Sequence, residues 1–268
     1  MPALAFLSAI TLPVNADPPE EAARRTYMGR IVAQPMSHLG AAWLIRPERD
    51  DEENAQVALG HLQIEPGMTV VDLGCGNGYW TLPMARACRV DDAEDDALVD
   101  SSDSTQAGEP EQAEDAYRGQ VLAVDIQREM LAKLQRNLAR AGIQNVQPIL
   151  GKVDDPKLPA GEVDLLLMVD VYHEFSHPQS MLWWIRRSLK PTGVVALLEY
   201  RAEDPDVPIK PLHKMSKPQI MKEYSAAGLK LVREVNELPW QHLMFFARDD
   251  SPLETIEPKP WRKEDPGQ

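Results

Sequence analysis

The chain has 268 residues, 43% of them hydrophobic, and carries a formal net charge of −14. This length supports one large domain with extensions, and the apolar fraction is ordinary for a globular protein. Residues 91–115 hold 11 acidic residues and no lysine or arginine, so the rest of the chain carries only −3. A nearly neutral body offers no general field for nucleic acid phosphates, and two cysteines do not make a disulfide framework.

The N-terminal part is predicted to precede the main domain. Residues 1–16 contain an apolar stretch and end in small residues at Ala16, which is typical of a signal peptide, although no lysine or arginine precedes the stretch. A misassigned start and a disordered tail are the alternatives, and localisation stays open between the cytoplasm and export to the periplasm. Residues 17–65 have helical composition over 20–30 and 48–62 and are predicted to form a helical cap. No run of 18 apolar residues occurs, so no membrane-spanning helix is expected.

The main domain is predicted to open with a strand, a glycine turn and a helix over 79–87. Residues 69–73 are apolar and β-branched except for Asp72, which begins the spacing D-x-G-x-G-x-G. Glycines at such a turn allow positive φ and let a ligand approach the main chain closely. The dinucleotide spacing G-x-G-x-x-G would need a glycine where this chain has Tyr79. A nicotinamide-dependent oxidoreductase is therefore the weaker alternative.

The next strand is predicted beyond an acidic insertion. Residues 121–125 form another apolar run that ends in an acid, Asp125. An acid at this point accepts hydrogen bonds from ribose hydroxyls and is expected roughly 20 residues after the glycine turn. The interval from Gly74 is 51 residues, which becomes 21 without the 30 residues 89–118. That segment is interpreted as a disordered insertion, because it buries too little apolar surface to offset the entropy of ordering.

The remaining elements alternate between strands and helices. This alternation indicates an α/β fold with a mostly parallel sheet, and a closing pair of strands indicates an antiparallel end. The continuous apolar run at 163–169 is typical of a central strand buried on both faces. Residues 249–268 are predicted to be a disordered C-terminal tail. The predicted elements are helix 128–141 capped by Gly142, strands 146–150 and 163–169, helix 178–189, strand 194–200, helix 218–227, and strands 230–235 and 242–247.

From residue 66 to 248 the chain resembles the class I S-adenosylmethionine-dependent methyltransferases, on the motif that begins at Asp72 and on the acid Asp125. The resemblance implies a Rossmann-like three-layer sandwich with a seven-stranded, mostly parallel sheet and an antiparallel C-terminal strand. It implies S-adenosyl-L-methionine as cofactor, with Asp72 and the glycine loop at its methionine part, Asp125 at its ribose and Ile126 on its adenine. The residues predicted to bind the cofactor are Asp72, Gly74, Cys75, Gly76, Gly78, Asp125, Ile126, Val153, Asp154 and Asp170.

The exit of strand 146–150 departs from the family pattern. Many family members have an acid directly after the glycine at Gly151, and this chain has Lys152 there. Asp154 is therefore predicted to contact the adenine amino group, with Val153 offering a backbone amide. A solvated turn is the alternative interpretation of these residues.

The loop after strand 163–169 is expected to face the reacting methyl group. Positioning supplies much of the rate of methyl transfer, yet a hydroxyl or ammonium acceptor must lose a proton, which suits an imidazole with a pKa of about 6.5. His173 is predicted to be catalytic, with Glu174 orienting it or binding a cationic acceptor. A buried histidine that only hydrogen-bonds to backbone is the alternative. His38, His213 and His242 lack metal-ligand spacing to a cysteine or a second histidine, and no metal is predicted.

The predicted function is S-adenosylmethionine-dependent methyl transfer to a small molecule, with no nucleic acid partner and no membrane span. The alternative is a catalytically silent module that binds S-adenosylmethionine for a regulatory or structural purpose. Product formation that depends on the donor separates these two functions. The cap and the charged loop that begins near Glu199 are expected to determine the acceptor, which the sequence does not name.

Overall fold

The computed structural model describes residue 23 and residues 25–90 and 119–262. Within these residues, no helix has both the length and the apolar character needed to cross a membrane. The strands are β1 (Thr26–Tyr27), β2 (Arg30–Ile31), β3 (Thr69–Leu73), β4 (Gln120–Asp125), β5 (Val146–Leu150), β6 (Val163–Val169), β7 (Leu189–Tyr200), β8 (Leu229–Val235) and β9 (Gln241–Arg248). The helices are α1 (Arg49–Glu53), α2 (Ala55–Leu62), α3 (Thr81–Cys88), α4 (Arg128–Ala141), α5 (Pro178–Ser188) and α6 (Lys217–Ala226).

Seven strands form one sheet in the order β5-β4-β3-β6-β7-β9-β8. The strands from β5 to β7 are parallel to one another, whereas β9 is antiparallel to both β7 and β8. The fold class predicted from the sequence is confirmed. The chain extends from β3 toward β5 on one side and returns to β6 on the other, so a crevice lies between the carboxyl ends of β3 and β6. Open α/β sheets bind their ligands at such a reversal of strand order.

The central strands are buried on both faces, which explains their continuous apolar runs. Val70 and Leu165 face α2 and α3, while the alternating residues Val71 and Leu166 face α5 and α6. Helix α4 covers β4 and β5 with an apolar stripe and ends where the sequence predicts, at Gly142 with φ of 65°. The stripe consists of Met130, Leu131, Leu134 and Leu138.

The predicted helical cap is only partly helical. Residues 26–31 form a hairpin in place of the expected helix, because Met28 and Gly29 both adopt positive φ, at 47° and 101°. Two such residues make the tight turn that joins antiparallel strands. Farther on, the expected helix over 48–62 is broken at Asn54, whose φ is 50°. Asparagine tolerates this left-handed conformation and often ends helices.

The acidic segment begins and ends at neighbouring points of the structure. Its predicted span of 89–118 lies outside the described residues except at 89 and 90. Its flanks are close together, because a Cβ added to Gly119 would lie 2.0 Å from the Cys88 carbonyl oxygen. The Asn145 side-chain amide donates to the Ala85 and Gly119 carbonyls at 2.8 and 2.7 Å and so fixes both flanks. Because Cys88 and Gly119 lie side by side, a segment of any length can join α3 to β4 without moving either element.

The expected disordered tail needs correction over its described part, residues 249–262. The Ile256 backbone N–H donates to the Leu231 carbonyl at 2.9 Å, and the Ile256 side chain packs on the core. Farther on, the Lys259 N–H donates to Glu234 at 2.8 Å. Ile256 thus fixes beside β8 part of a segment that was predicted to be disordered.

Candidate functional site

A cavity opens at the crevice between the carboxyl ends of β3, β4 and β6. Its walls come from the glycine loop after β3, the segment after β4, the loop after β6 and the N-terminal residues around Met36. Its lining residues include Met36, Leu44, Gly74, Gly76, Asp125, Ile126, Gln127, Met130, Lys152, Val153, Asp170, Val171, Glu174, Phe175 and Met181.

Two glycines of the loop are required by close contacts. Gly74 has φ of 84°, and a Cβ there would lie 2.7 Å from the Val171 side chain across the cavity floor. Gly78 has φ of 96°, and a Cβ there would lie 2.5 Å from the Leu134 side chain on α4. Gly74 therefore keeps the cavity open, whereas Gly78 lets the loop pack on the neighbouring helix. A side chain at either position would displace the loop.

Asp125 is held rigidly at the end of β4. One carboxylate oxygen accepts the Gly76 backbone N–H at 3.0 Å, and the other accepts the Gln127 N–H at 2.8 Å. Burial raises the pKa of Asp125, although these N–H donors oppose the shift. The carboxylate lines the cavity and retains lone pairs for further donors. Its position is suited to the ribose contact predicted from the sequence.

Asp170 carries the least satisfied carboxylate of the cavity. Its φ is 51°, and its Oδ2 accepts the Gln241 side-chain amide at 2.7 Å. Its Oδ1 is buried and has no hydrogen-bond partner among the described residues. Burial, together with the negative charges of Glu53 and Glu199, raises the pKa of Asp170 well above its usual range. A cation from a ligand would therefore satisfy both the free oxygen and the local excess of negative charge.

The opposite wall of the cavity is apolar. Ile126 and Val153 are 43% and 46% exposed, although both are large hydrophobic residues. They line the cavity together with Met130 and Phe175. Apolar side chains that solvent reaches inside a cavity are suited to contact a flat, weakly polar ligand group. The predicted packing of Ile126 on the adenine is compatible with this position, and Val153, predicted to offer a backbone amide, also presents its apolar side chain here.

Four residues predicted to bind the cofactor do not line the cavity. Asp72 lies below the loop, where its carboxylate accepts the Thr81 hydroxyl at 2.5 Å and burial raises its pKa to about 7. Cys75 is buried, and its backbone N–H donates a hydrogen bond to the Val124 carbonyl. The other two are Gly78, in contact with α4, and Asp154, in an exposed turn.

His173 lies behind the cavity rather than on its surface. Its Nδ1 is 2.6 Å from Glu199 Oε2, and its Nε2 is 3.1 Å from His213 Nδ1. Burial lowers the pKa of His173, but the Glu199 carboxylate outweighs that effect and the pKa is raised. Glu174 lines the cavity instead, and burial raises the pKa of Glu174 to about 7. Of the two residues expected to act together, Glu174 is the one that a bound acceptor would meet.

A family model described as a methyltransferase domain matches residues 64–244, which is more than half of the chain. The chain belongs to this methyltransferase family. The matched residues contain the glycine loop, both cavity aspartates and the His173–Glu174 pair. The family predicted from the glycine motif is therefore confirmed.

Solved structures share the fold of the methyltransferase. A SAM-dependent methyltransferase from Aquifex aeolicus is 21% identical, with a TM-score of 0.64 over 79% of this chain and 98% of that one. A TehB-like SAM-dependent methyltransferase from Corynebacterium glutamicum is 11% identical, with a TM-score of 0.53 over 79% of this chain and 97% of that one. The cyclase SpnF is 17% identical, with a TM-score of 0.51 over 68% and 59% of the two chains. Identities this low establish a shared fold.

The N-terminal segment of the methyltransferase lies across the cavity. The Gln127 side chain donates to the Met36 carbonyl at 2.9 Å and accepts the His38 N–H at 2.8 Å. The Met36 N–H donates to Glu174 at 3.2 Å. Leu44 packs so closely that a Cβ on Gly76 would lie 2.8 Å from it. The segment therefore forms one wall of the cavity.

Sequence reasoning missed several residues of the site. Glu199 lies in the apolar strand β7 and is fully buried, and an acid inside such a run is a signal of a buried polar partner. Gln127 follows Asp125 by two residues and connects it to the N-terminal segment. His213 belongs to the charged loop expected to determine the acceptor, but it is 40 residues from His173, and nothing in the sequence indicated that the two meet.

Proposed function

We propose that this enzyme transfers the methyl group of S-adenosylmethionine to a small-molecule acceptor bound in the cavity beside Glu174. The observation that carries the proposal is that Asp170 and Glu174 line the same cavity as Gly74 and Gly76 of the glycine loop. A donor held near Asp170 and an acceptor near Glu174 would thus meet inside one enclosure. Bound S-adenosylmethionine supplies a methyl group that its sulfonium already activates.

The donor side of the proposal rests on three features of the cavity. Asp125 presents a carboxylate fixed by two backbone N–H donors, which is suited to accept ribose hydroxyls. Ile126 and Val153 offer exposed apolar surface to the adenine. Asp170 Oδ1 is buried and has no hydrogen-bond partner in the described part of the chain, so it is suited to a cationic group of the methionine part. Each feature matches a different chemical part of the same nucleoside.

The acceptor side favours a small molecule. The N-terminal segment crosses the cavity through hydrogen bonds to Gln127 and Glu174, so the acceptor end is covered rather than open to a groove. The chain outside residues 91–115 carries a formal charge of only −3. A covered cavity on a nearly neutral surface supports an acceptor that fits inside the protein, rather than a polynucleotide held by its phosphates.

Calorimetry followed by a turnover assay tests the proposal. The full-length protein is titrated with S-adenosylmethionine, S-adenosylhomocysteine and NAD, and we expect micromolar binding of the first two and none of NAD. Incubation with S-adenosylmethionine and a library of small hydroxyl, thiol and amine acceptors should then release S-adenosylhomocysteine with at least one of them. Absence of binding would refute the donor site. Binding without release across the library would favour the silent binding module, and the cyclase SpnF shows that this fold also occurs in a protein described by another reaction.

A further inference from the structure

Three potential ligand atoms converge behind the part of the cavity wall that Glu174 forms. They are Nε2 of His173, Nδ1 of His213 and Oε1 of Glu174, and all lie within 4.8 Å of one another. The two nitrogens are 3.1 Å apart, and each is 4.0 Å from the carboxylate oxygen. Ligand atoms around one metal ion lie roughly 3 to 3.5 Å apart when each is about 2.1 Å from the ion. A small rotation of the Glu174 side chain would bring its oxygen into that range.

The surroundings of His173 are those of a metal ligand. Its Nδ1 is 2.6 Å from Glu199 Oε2, and its backbone N–H donates to the other oxygen of Glu199 at 3.2 Å. The Glu199 carboxylate accepts hydrogen bonds, so Nδ1 carries the proton and the Nε2 lone pair points toward His213. Histidines that bind metals commonly donate their second N–H to a carboxylate, which fixes the tautomer and the ring. Glu199 is fully buried, so its carboxylate is not solvated by bulk water, and both of its oxygens contact His173.

The local charge also favours a cation. Two carboxylates, Glu174 and Glu199, flank the pair of imidazoles within hydrogen-bonding or ion-pair distance of His173. The guanidinium group of Arg30 is close to the His173 carbonyl, but it forms an ion pair with Glu223 at 2.7 Å. Arg30 is therefore paired with Glu223, and Lys210 adds a positive charge on the His213 side. Among the described residues, the charged groups within ion-pair distance of His173 are Glu174 and Glu199.

We infer that His173, Glu174 and His213 bind one divalent transition metal ion, with an oxygen atom of the acceptor completing its coordination. Two imidazoles and a carboxylate form a ligand set typical of catalytic Zn²⁺ and of non-haem Fe²⁺, and three protein ligands leave positions open. Glu174 lines the cavity, so those positions would be reached from the acceptor end. The role of the acceptor oxygen rests on the proposed function, whereas metal binding does not. This inference replaces the expectation of no metal, which considered only spacing along the chain.

Titration of the chelator-treated, full-length protein with Zn²⁺, Co²⁺ and, without oxygen, Fe²⁺ tests the inference. We expect one ion per chain, and we expect Mg²⁺ in excess not to displace it, because imidazole nitrogens bind first-row transition metals in preference to Mg²⁺. Bound Co²⁺ should give a visible absorption spectrum of nitrogen and oxygen coordination. Absence of stoichiometric binding would overturn the inference, and so would displacement by Mg²⁺.

Variants locate the ion. His213→Ala should weaken Zn²⁺ binding by at least about a hundredfold, and Glu199→Gln, which removes the acceptor for His173, by roughly 10- to 100-fold. His213 is partly exposed, with 32% of its side chain accessible, so its replacement should not prevent folding. The matched control is His177→Ala. His177 lies in the same loop as His173, but its ring forms a hydrogen bond with the Ser176 hydroxyl, so this variant should bind Zn²⁺ as the wild type does. Equal binding by His213→Ala and wild type would overturn the assignment.

Donor titration of the same samples separates this inference from the proposed function. The chelated wild type should bind S-adenosylhomocysteine with unchanged affinity, since Asp125 and Asp170 lie outside the metal cluster. Nucleoside binding without stoichiometric metal binding would overturn only the metal site. Metal binding without nucleoside binding would overturn the donor site and leave the metal ligands supported.

Discussion

Replacing Asp170 by asparagine should weaken donor binding without weakening the fold. The asparagine oxygen can still accept the Gln241 amide, which now bonds Oδ2 at 2.7 Å. The variant loses the charge of a carboxylate whose Oδ1 has no partner among the described residues. A charge-assisted hydrogen bond contributes about 1.5–3 kcal/mol, which corresponds to a loss of affinity of roughly 10- to 150-fold. Burial and the charges of Glu53 and Glu199 disfavour the ionised carboxylate, so the melting temperature should stay equal or rise.

The assay is calorimetric titration of wild type and Asp170→Asn with both S-adenosylmethionine and S-adenosylhomocysteine. Equal losses for the two ligands would indicate that Asp170 binds the ammonium group that both carry. A loss confined to S-adenosylmethionine would indicate the sulfonium. The matched control is Asp154→Asn in the exposed turn after β5, which should bind both ligands as the wild type does. Unchanged affinity in Asp170→Asn would refute the reasoning. A loss of unfolding free energy as large as the loss of binding free energy would also refute it.

The same carboxylate should make donor binding depend on pH. Burial is the largest cause that raises the pKa of Asp170 in the free protein, and the negative charges of Glu53 and Glu199 raise it further. A bound cation favours the ionised form, so binding should release a proton and affinity should increase as pH rises. Calorimetry in two buffers with different ionisation enthalpies measures that proton. Asp170→Asn should release none, and proton release equal to that of wild type would contradict the assignment.

Three further predictions concern the rest of the site and its frame. Asp125→Ala should weaken S-adenosylmethionine binding by at least about tenfold, through loss of the carboxylate for the ribose, as measured by calorimetry. Deleting residues 89–118 and joining Cys88 to Gly119 should leave donor affinity unchanged, because the two flanks are already adjacent. Burial raises the pKa of Asp72 to about 7, so the folded protein retains a proton that the unfolded chain releases, and stability should fall as pH rises from about 4 to about 7. The free energy of unfolding of Asp72→Asn relative to wild type should therefore increase between pH 4 and pH 8, by on the order of 4 kcal/mol or less, and the difference in melting temperature should increase with it.

Each of these has an outcome that contradicts it. Wild-type affinity in Asp125→Ala would exclude the ribose contact, and a folded deletion variant without donor binding would give residues 89–118 a part in the site. A melting-temperature difference that is constant between pH 4 and pH 8 would contradict the protonation of Asp72 in the folded state.

The sheet could be predicted from the sequence because its strands are buried on both faces. The residues that form β5 and β6 and the helix α4 match their predicted bounds, since continuous apolar runs and a glycine cap leave few alternatives. The cavity aspartates were predicted for a related reason. Asp125 and Asp170 each follow a buried strand, and the ends of parallel strands meet at one edge.

Features that depend on distant contacts could not be predicted in this way. Residues 26–31 form a hairpin, although their composition predicted a helix. The backbone of Met28 and Gly29 adopts positive φ there, which makes a tight turn and ends any helix. His213 meets His173 only because the loop after β7 returns over the end of β6, and the sequence separation of 40 residues conceals it. The charged residues from Glu199 onward were expected to help determine the acceptor, yet Glu199 itself lies within β7 and is fully buried against His173.

The adjacency of Cys88 and Gly119 has a thermodynamic consequence for the chain between them. When the ends of a flexible segment are fixed side by side, the entropy lost on closing it grows only with the logarithm of its length, and doubling that length costs about 0.6 kcal/mol. The stability of the sheet should therefore respond weakly to how many residues join α3 to β4. A peptide of different length and composition, carrying a label or an affinity tag, should therefore be tolerated between α3 and β4. The cavity lies at the opposite, carboxyl end of β4 and should keep its shape.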